Sequence, residues 1–432
     1  MTGTWESFGW RNREVPKAPL DDERRPGYGL PLTLRPVQDP RAVQKAVFDP
    51  ALKQYPNAYR ATDPRFADRE VGLAWRDARR RAIDLVLAGI AGSDWADHLV
   101  LRGSVLLRGW YGEAAREPGD LDFVVTPADW EIGEPRTAAM IDGIARAAEL
   151  AAGQAAAGHP VRFDAAGAVS EDIWTYERVP GRRLALPWTA EGLPGGTVQL
   201  DFVFNERLPV APERRLVRPL ADGPGAPVLG VTPELSLAWK LMWLVTDRYP
   251  QGKDLYDAVL LAESCRLRRS VLRDAFVGGE HWYAFHPVTA ARIGELAVDL
   301  EWDDFAREYP EVEGGPEQYV RRLAEALAPT FDGDDGTGPE AKRWWLAGWV
   351  DRYREVLDSA GMPEVQRRLA TSDAPAALAI VITRELLGGE RCRFEDACAV
   401  VLAEPAWSGL VDRYGRDPEW WAGLVREARD GA

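Results

Sequence analysis

The sequence predicts an α+β protein: a small mixed sheet with flanking helices, followed by a mostly helical C-terminal region. Three observations lead there. Residues 101–125 pass from an apolar strand segment through a helical turn to the strand pattern of 121–125. Residues 196–206 alternate apolar and polar with a period of two. Beyond Cys265 the apolar spacing becomes that of helices separated by acidic or glycine-rich loops. A chain of 432 residues is longer than a single core usually supports. The expected division is an N-terminal extension over 1–66, partly irregular, a core over 67–270 and a helical region over 271–432.

The individual elements follow from local pattern. The first 65 residues are rich in proline and charge; a helix is expected over 41–48, and packing against the body is expected to order part of the rest. From Asp68, the residues Val71, Ala74, Trp75, Ala78, Ala82, Leu85 and Val86 recur at three- and four-residue steps, a helix ending near Gly92. Leu99, Val100 and Leu101 make the first core strand, Ser104 starts a short helix, and 134–157 is a long alanine-rich helix. Residues 162–201 alternate short strands with turns, and Pro194, Gly195 and Gly196 mark a hairpin or loop. Strands over 216–220 and 228–231 form a second layer. Thr232-Pro233-Glu234 supplies a cap, a proline for the first helical position and a carboxylate at the positive end of the helix dipole. That helix runs to about 248, breaks at 250–252 and resumes over 253–263. After an acidic break at 331–338, helices are expected over 344–360, 363–370, 375–387, 394–402 and 407–414.

Composition excludes several classes. Hydrophobic residues make up 46% and charged residues 28%, as in ordinary globular proteins. No apolar run reaches the ~18–20 residues that span a bilayer, and the N-terminus has no apolar signal core, so a cytoplasmic location and no membrane partner are expected. The three cysteines and four histidines fit no zinc or redox spacing. A net charge of −15 argues against a surface that grips nucleic acid all over, while leaving room for a local basic groove built from Arg79, Arg80 and Arg81, Arg182 and Arg183, Arg214 and Arg215, or Arg266, Arg268 and Arg269. The 18 tryptophans are read as packing between helix faces, with a base-stacking platform as the alternative.

The chemistry is concentrated in a few carboxylates and cations. Asp120 and Asp122 stand two apart at the strand of 121–125, so they share one face roughly 6–7 Å apart. Two such carboxylates repel unless a cation joins them, and hard cations such as Mg²⁺ take oxygen ligands and leave positions for substrate phosphates. In the second strand, Val198, Leu200, Phe202 and Phe204 form one face and Asp201 lies on the other, where a carboxylate is costly unless paired or bound to metal. Asp201 is thus either catalytic or a satisfied structural acid. Lys240 interrupts an apolar helix and must reach water or an anion. Arg248, Lys253, Asp254 and Asp257 follow, the two acids three apart on one helix face.

Gly103-Ser104, then Asp120-x-Asp122, then a lone strand Asp201 is an order that resembles nucleotidyltransferases of the DNA polymerase beta superfamily. Adding Arg108, Lys240, Arg248 and Lys253-Asp254-Leu255-Tyr256-Asp257 sharpens the resemblance to the AbiEii/AbiGii nucleotidyltransferase toxin family, over about 68–263. The resemblance implies a polymerase-beta-like core and Mg²⁺-dependent transfer of a nucleotidyl group from an NTP to an acceptor, tRNA or another cellular target. It also implies a toxin paired with an antitoxin protein. By the same resemblance Gly103 lets the backbone approach the triphosphate, and Ser104 donates to a phosphate oxygen. Asp120 and Asp122 hold Mg²⁺, and Lys240, Lys253 and Arg108 meet phosphate charge. Arg116 is a further phosphate candidate, with a loop salt bridge as the equal alternative. Asp254 or Asp257 orients Lys240 or reaches the metal or nucleotide, and Asp201 acts as base or second-metal ligand. Two rivals remain: a transferase acting on a small molecule (antibiotic or metabolite), which the acidic balance favours, and a nucleotide-binding protein without turnover.

Overall fold

A computed structural model describes residues 4–9, 14–155, 160–175, 179–298, 300–331, 338–372, 374–415 and 417–431. The chain divides into two units. The first comprises Met1–Ser236, Gln251–Leu260 and Glu301–Gly314; the second comprises Leu237–Pro250, Leu261–Leu300 and Gly315–Ala432.

In the first unit the N-terminal stretch carries four short strands, β1 (Ala42–Val43), β2 (Ala46–Phe48), β3 (Tyr59–Ala61) and β4 (Arg65–Phe66), with β1 against β4 and β2 against β3. The helix expected over 41–48 is therefore two strands. Val43, Val47 and Phe48 suit a pleated surface, and Gln44 turns inward, donating to Thr62 O and accepting from Val37 N, each at 2.7 Å. Trp5, Phe8, Val15, Leu30 and Leu34 give this stretch a small core of its own. Leu52 and Ala58 pack with Ile173 of the main sheet.

Helix α1 (Arg69–Ala91) starts where Asp68 accepts from the N–H groups of Glu70 and Val71, and it buries Trp75, Ala82, Val86 and Ile90 at helical spacing. Then come β5 (Leu99–Arg102), α2 (Ser104–Tyr111), β6 (Leu121–Val125), α3 (Pro135–Gln154), β7 (Val161–Phe163), β8 (Val169–Thr175), β9 (Val179–Ala190), β10 (Leu193–Val203), β11 (Glu213–Val217) and β12 (Ala226–Gly230). Among the described residues these strands form one eight-stranded sheet in the order β11-β12-β5-β6-β10-β9-β7, with β8 also paired to β9. The β10–β6 and β12–β5 pairs are parallel and the others antiparallel. The mixed sheet is as expected, and Phe123 and Phe202 stack within it at 5.7 Å.

One expectation fails and another is met only in part. Strands β11 and β12 are no second layer; Leu229 and Gly230 pair with Val100 and Leu101 in the same sheet. Pro194-Gly195-Gly196 does stand in a hairpin, β9–β10, but is not its turn, which comes earlier, at Gly192 with φ 74°; the three residues lie inside β10. The ladder changes register between Leu193 and Gly196, and a Cβ on Gly195 or Gly196 would come within 2.9 Å of Trp188. These glycines serve a bulge pressed against a tryptophan.

Helix α4 (Pro233–Thr246) begins where expected, with Thr232 Oγ1 accepting from Leu235 N at 3.2 Å, and α5 (Gly252–Ser264) resumes after the break. Next are α6 (Arg269–Val277), α7 (Ala290–Gly294) and α8 (Trp302–Glu308), the last in the first unit. The second unit continues with α9 (Pro316–Phe331), α10 (Pro339–Thr371), α11 (Ala376–Leu386), α12 (Phe394–Ala403), α13 (Ser408–Tyr414) and α14 (Pro418–Gly431). Gly361, at φ 80° ahead of Pro363, breaks α10 between the two helices anticipated there. In α11 every residue from Ala377 to Thr383 is buried, as a central core helix requires. Thr383 accepts from Gln366 at 2.7 Å, and Gln366 accepts from Trp407 at 2.9 Å, so these three side chains satisfy one another in the core. The acidic break at 332–337 and the end of the helix expected at 156–157 lie outside the described residues. No helix among the described residues is long and apolar enough to cross a membrane.

Candidate active site

Strand register draws one row of charges across the main sheet. Arg102 on β5 pairs with Asp122 on β6, Asp122 with Asp201 on β10, Asp201 with Arg183 on β9, and Arg183 with Glu171 on β8. Directly paired residues project from the same face. Arg102 is occupied by Glu206, to which it donates at 2.6 Å. Arg183 grips Asp201 with two parallel bonds, Nε to Oδ1 at 2.8 Å and Nη2 to Oδ2 at 2.7 Å. Asp120 joins the row from the residue ahead of β6. Asp120, Asp122 and Asp201 each offer a carboxylate oxygen, all within 4.8 Å of one another.

Packing three acids this closely has an electrostatic consequence. Burial, and then the charge of Asp120, push the Asp122 carboxyl up to about 7; Asp201 adds to the rise, while Arg102 and Lys253 oppose it. Burial lifts Asp201 as well, against the pull of Arg183. A divalent cation would relieve this repulsion, and three carboxylate oxygens are a donor set that suits a hard one. The residues fit a metal.

Gly103 makes room for this cluster. Its φ of 82° and ψ of −155° belong to a region that only glycine populates freely, and a Cβ built there would sit 2.4 Å from Asp122 Oδ2. The next residue, Ser104, opens α2, and its buried hydroxyl makes no hydrogen bond among the described residues. Buried hydroxyls are normally paired. This one stands at a helix N-terminus, where backbone N–H groups lack intrahelical partners and favour anions.

A cavity of about 750 Å³ adjoins Asp120 within the first unit, its wall carrying Arg60, Arg80, Arg108, Arg116, Arg307 and Lys253. Most of these guanidinium groups are held in place. Arg60 pairs with Glu308 at 2.8 and 2.9 Å, and Arg80 with Glu117 at 2.6 and 2.8 Å. Arg108 closes its own loop, donating to Gly112 O, Ala115 O and Glu113. Arg116 is clamped by Asp257, with bonds of 3.0 and 3.1 Å, and also donates to Tyr309 Oη at 3.3 Å. Burial favours its neutral form, but Asp257 outweighs that and holds Arg116 well above its ordinary value. Lys253 differs: it has no hydrogen bond or ion pair among the described residues, yet its charge lowers the proton affinity of Asp122, Asp49 and Glu308.

The sequence-predicted residues sort accordingly. Gly103, Asp120, Asp122 and Asp201 come together, with Ser104 beside them; Arg108, Asp120 and Lys253 line the cavity. Asp257 is fully buried against Arg116, the ion-pair alternative for that arginine. Asp254 is buried in the first turn of α5, its N–H donating to Gln251 O at 3.0 Å. Lys240 belongs to the second unit, buried on α4 with its ammonium 5.1 Å from the Trp243 ring centre. Arg183, expected in a basic surface cluster, is instead buried between two acids. Sequence reasoning missed that role and missed Asp49, Glu308 and Tyr309 entirely. The signal for Arg183 was a second arginine, after Arg182, placed directly ahead of Leu184, Ala185 and Leu186 in a strand.

Comparison with known protein families matches residues 85–333, more than half of the chain, to the family described as "Nucleotidyl transferase AbiEii toxin, Type IV TA system". No curated protein matches the chain. The family match begins inside α1, so the N-terminal strands and Asp49 lie outside it.

Proposed function

The chain belongs to the AbiEii nucleotidyl transferase toxin family, and from that premise we propose Mg²⁺-dependent transfer of a nucleotidyl group from an NTP to a tRNA acceptor. The protein is a nucleotidyltransferase, and its family places it in type IV toxin–antitoxin systems. The observation that carries the finer reading is the cluster of Asp120, Asp122 and Asp201 beside a cavity walled by arginines and Lys253. We read the mixed sheet as a polymerase-beta-like core, residues 67–270 as its extent, and 271–432 as the region that docks acceptor or antitoxin.

Asp120 and Asp122 would hold the metal, with Asp201 facing them. Bound there, Mg²⁺ would supply charge to offset that of the phosphates. The protein's own groups do the rest. Ser104 Oγ and the first N–H groups of α2 donate to a phosphate oxygen. Arg116, fixed by Asp257, together with Lys253, offsets the charge of the departing pyrophosphate. Burial raises the proton affinity of Asp201 against the pull of Arg183, and Asp201 accepts the proton of the acceptor hydroxyl as that oxygen bonds to the α-phosphorus and the bond to the bridging oxygen breaks. A local cationic cavity on a chain of net charge −15 favours a polyanionic acceptor that engages only here.

The test is incubation with labelled NTPs, Mg²⁺ and either total tRNA or a metabolite pool. Label on tRNA, lost with EDTA and in an Asp122→Ala protein, is the expected result. Label on a small molecule replaces the acceptor, and nucleotide binding without transfer to either pool overturns the reading.

A further inference from the structure

The N-terminal stretch, which precedes the family-matched region, reaches the carboxylate cluster through one buried arginine. Asp49 Oδ2 accepts from Arg183 Nη1 at 2.6 Å, while Nε and Nη2 of the same guanidinium hold both oxygens of Asp201. Asp49 is itself fixed, because its Oδ1 accepts from Ala51 N at 3.1 Å at the start of a short 3₁₀ turn. Arg183 is 3% exposed, so solvent screens little of this chain of charges. On the other side of Arg183, Glu171 accepts from Leu32 N at 3.0 Å and Thr33 N at 2.8 Å and from the Thr33 hydroxyl, which anchors the same stretch to β8.

We propose that Asp49 is a positioning residue for the metal site, acting through Arg183 on Asp201. This rests on the reading of Asp120, Asp122 and Asp201 as that site. A side-on guanidinium uses one lone pair on each oxygen of Asp201 and leaves the others for a cation. It also draws negative charge away from them. Asp49 divides the field of Arg183 between two carboxylates, so Asp201 retains more of its charge for the metal. It also locks the guanidinium plane, and with it the direction in which the Asp201 oxygens face. Without Asp49, one arm of a buried guanidinium loses its ionic acceptor, and Arg183 acts on Asp201 alone. Partners standing behind a metal's ligands typically change affinity about 10- to 100-fold when removed.

The experiment is calorimetric titration of the full-length protein with Mn²⁺ alone, with folding checked beforehand by circular dichroism and melting in EDTA. Asp49→Asn, nearly isosteric, should weaken Mn²⁺ binding about 10- to 100-fold. Arg183→Lys should weaken it similarly, since an ammonium cannot span both oxygens of Asp201 and reach Asp49; it also serves as the second probe if Asp49→Asn does not fold. Thr33→Val loosens the same stretch without touching Arg183, and should lower the melting temperature while leaving Mn²⁺ affinity intact. Unchanged Mn²⁺ affinity in folded Asp49→Asn overturns the proposal, as does an equal loss in Thr33→Val. An unaltered protein that binds no Mn²⁺ overturns the metal reading and this inference with it.

Discussion

Replacing Gly103 by alanine should injure both the fold and the metal site, for two separable reasons. The backbone there sits at φ 82°, ψ −155°, a region that costs a residue with a Cβ about 1–3 kcal/mol. The added methyl would stand 2.4 Å from Asp122 Oδ2, whereas real Cβ atoms essentially never come closer than 3.0 Å. The carboxylate must therefore retreat by about 0.6 Å, and it has little room to do so with Asp120 and Asp201 already alongside. Misplacement of a reacting group by ~1 Å can lower rates ~10²-fold, so a loss of about tenfold in Mn²⁺ affinity is the expected scale. Gly112→Ala is the control: Gly112 has φ 55° with nothing within 4 Å of a built Cβ, so strain is present and the clash is not. Urea unfolding and Mn²⁺ calorimetry should show both proteins destabilised and only Gly103→Ala impaired in binding. If Gly103→Ala binds Mn²⁺ as tightly as the unaltered protein, the reasoning about the Asp122 carboxylate is wrong.

Ser104→Ala should leave the ligand-free protein as stable as before, or more so, because it deletes an unpaired buried hydroxyl. The same change should weaken NTP binding about tenfold or more if that hydroxyl meets a charged phosphate; equal NTP affinity in a filter-binding assay would remove Ser104 from the site. Asp257→Asn leaves Arg116 buried without its counter-charge, and urea unfolding should report a loss of about 3–5 kcal/mol. A loss under 1 kcal/mol would mean that Arg116 finds another partner. In the metal-free protein Asp122 rises from 3.8 to about 7, so its protonated form favours the fold. The stability it contributes is complete below 3.8 and lost as pH rises through about 7, while metal, which competes with the proton, binds more tightly over the same rise. Melting in EDTA between pH 5 and 8 should show that slope, and Asp122→Asn should flatten it; identical slopes would refute the assignment.

The legible parts of the fold were those written locally. The cap at Thr232, the 3.6-residue spacing of α1 and the period of two in β10 each depend on near neighbours, and the structure has each where the pattern put it. Residues 41–48 misled because Gln44 and the two short strands are set by Thr62, Val37 and β4, partners that local periodicity does not reveal. Pro194-Gly195-Gly196 misled for a related reason: the glycines answer to the ring and carbonyl of Trp188, not to a turn.

The residue types available for the chemistry were legible before any fold was known: Gly103-Ser104, the two acids at 120 and 122, and Asp201 on an apolar strand. Alternation along a strand was enough to put Asp120 and Asp122 on one side. Asp201 joins them only through the fold, because parallel pairing of β10 with β6 sets Asp201 beside Asp122, and register between strands 79 residues apart has no local signature. The fold also decided which cations are already engaged. Arg116 is held by Asp257 and Arg183 by Asp49 and Asp201, since a guanidinium enclosed by protein must find its counter-charge wherever the folded chain happens to bring one.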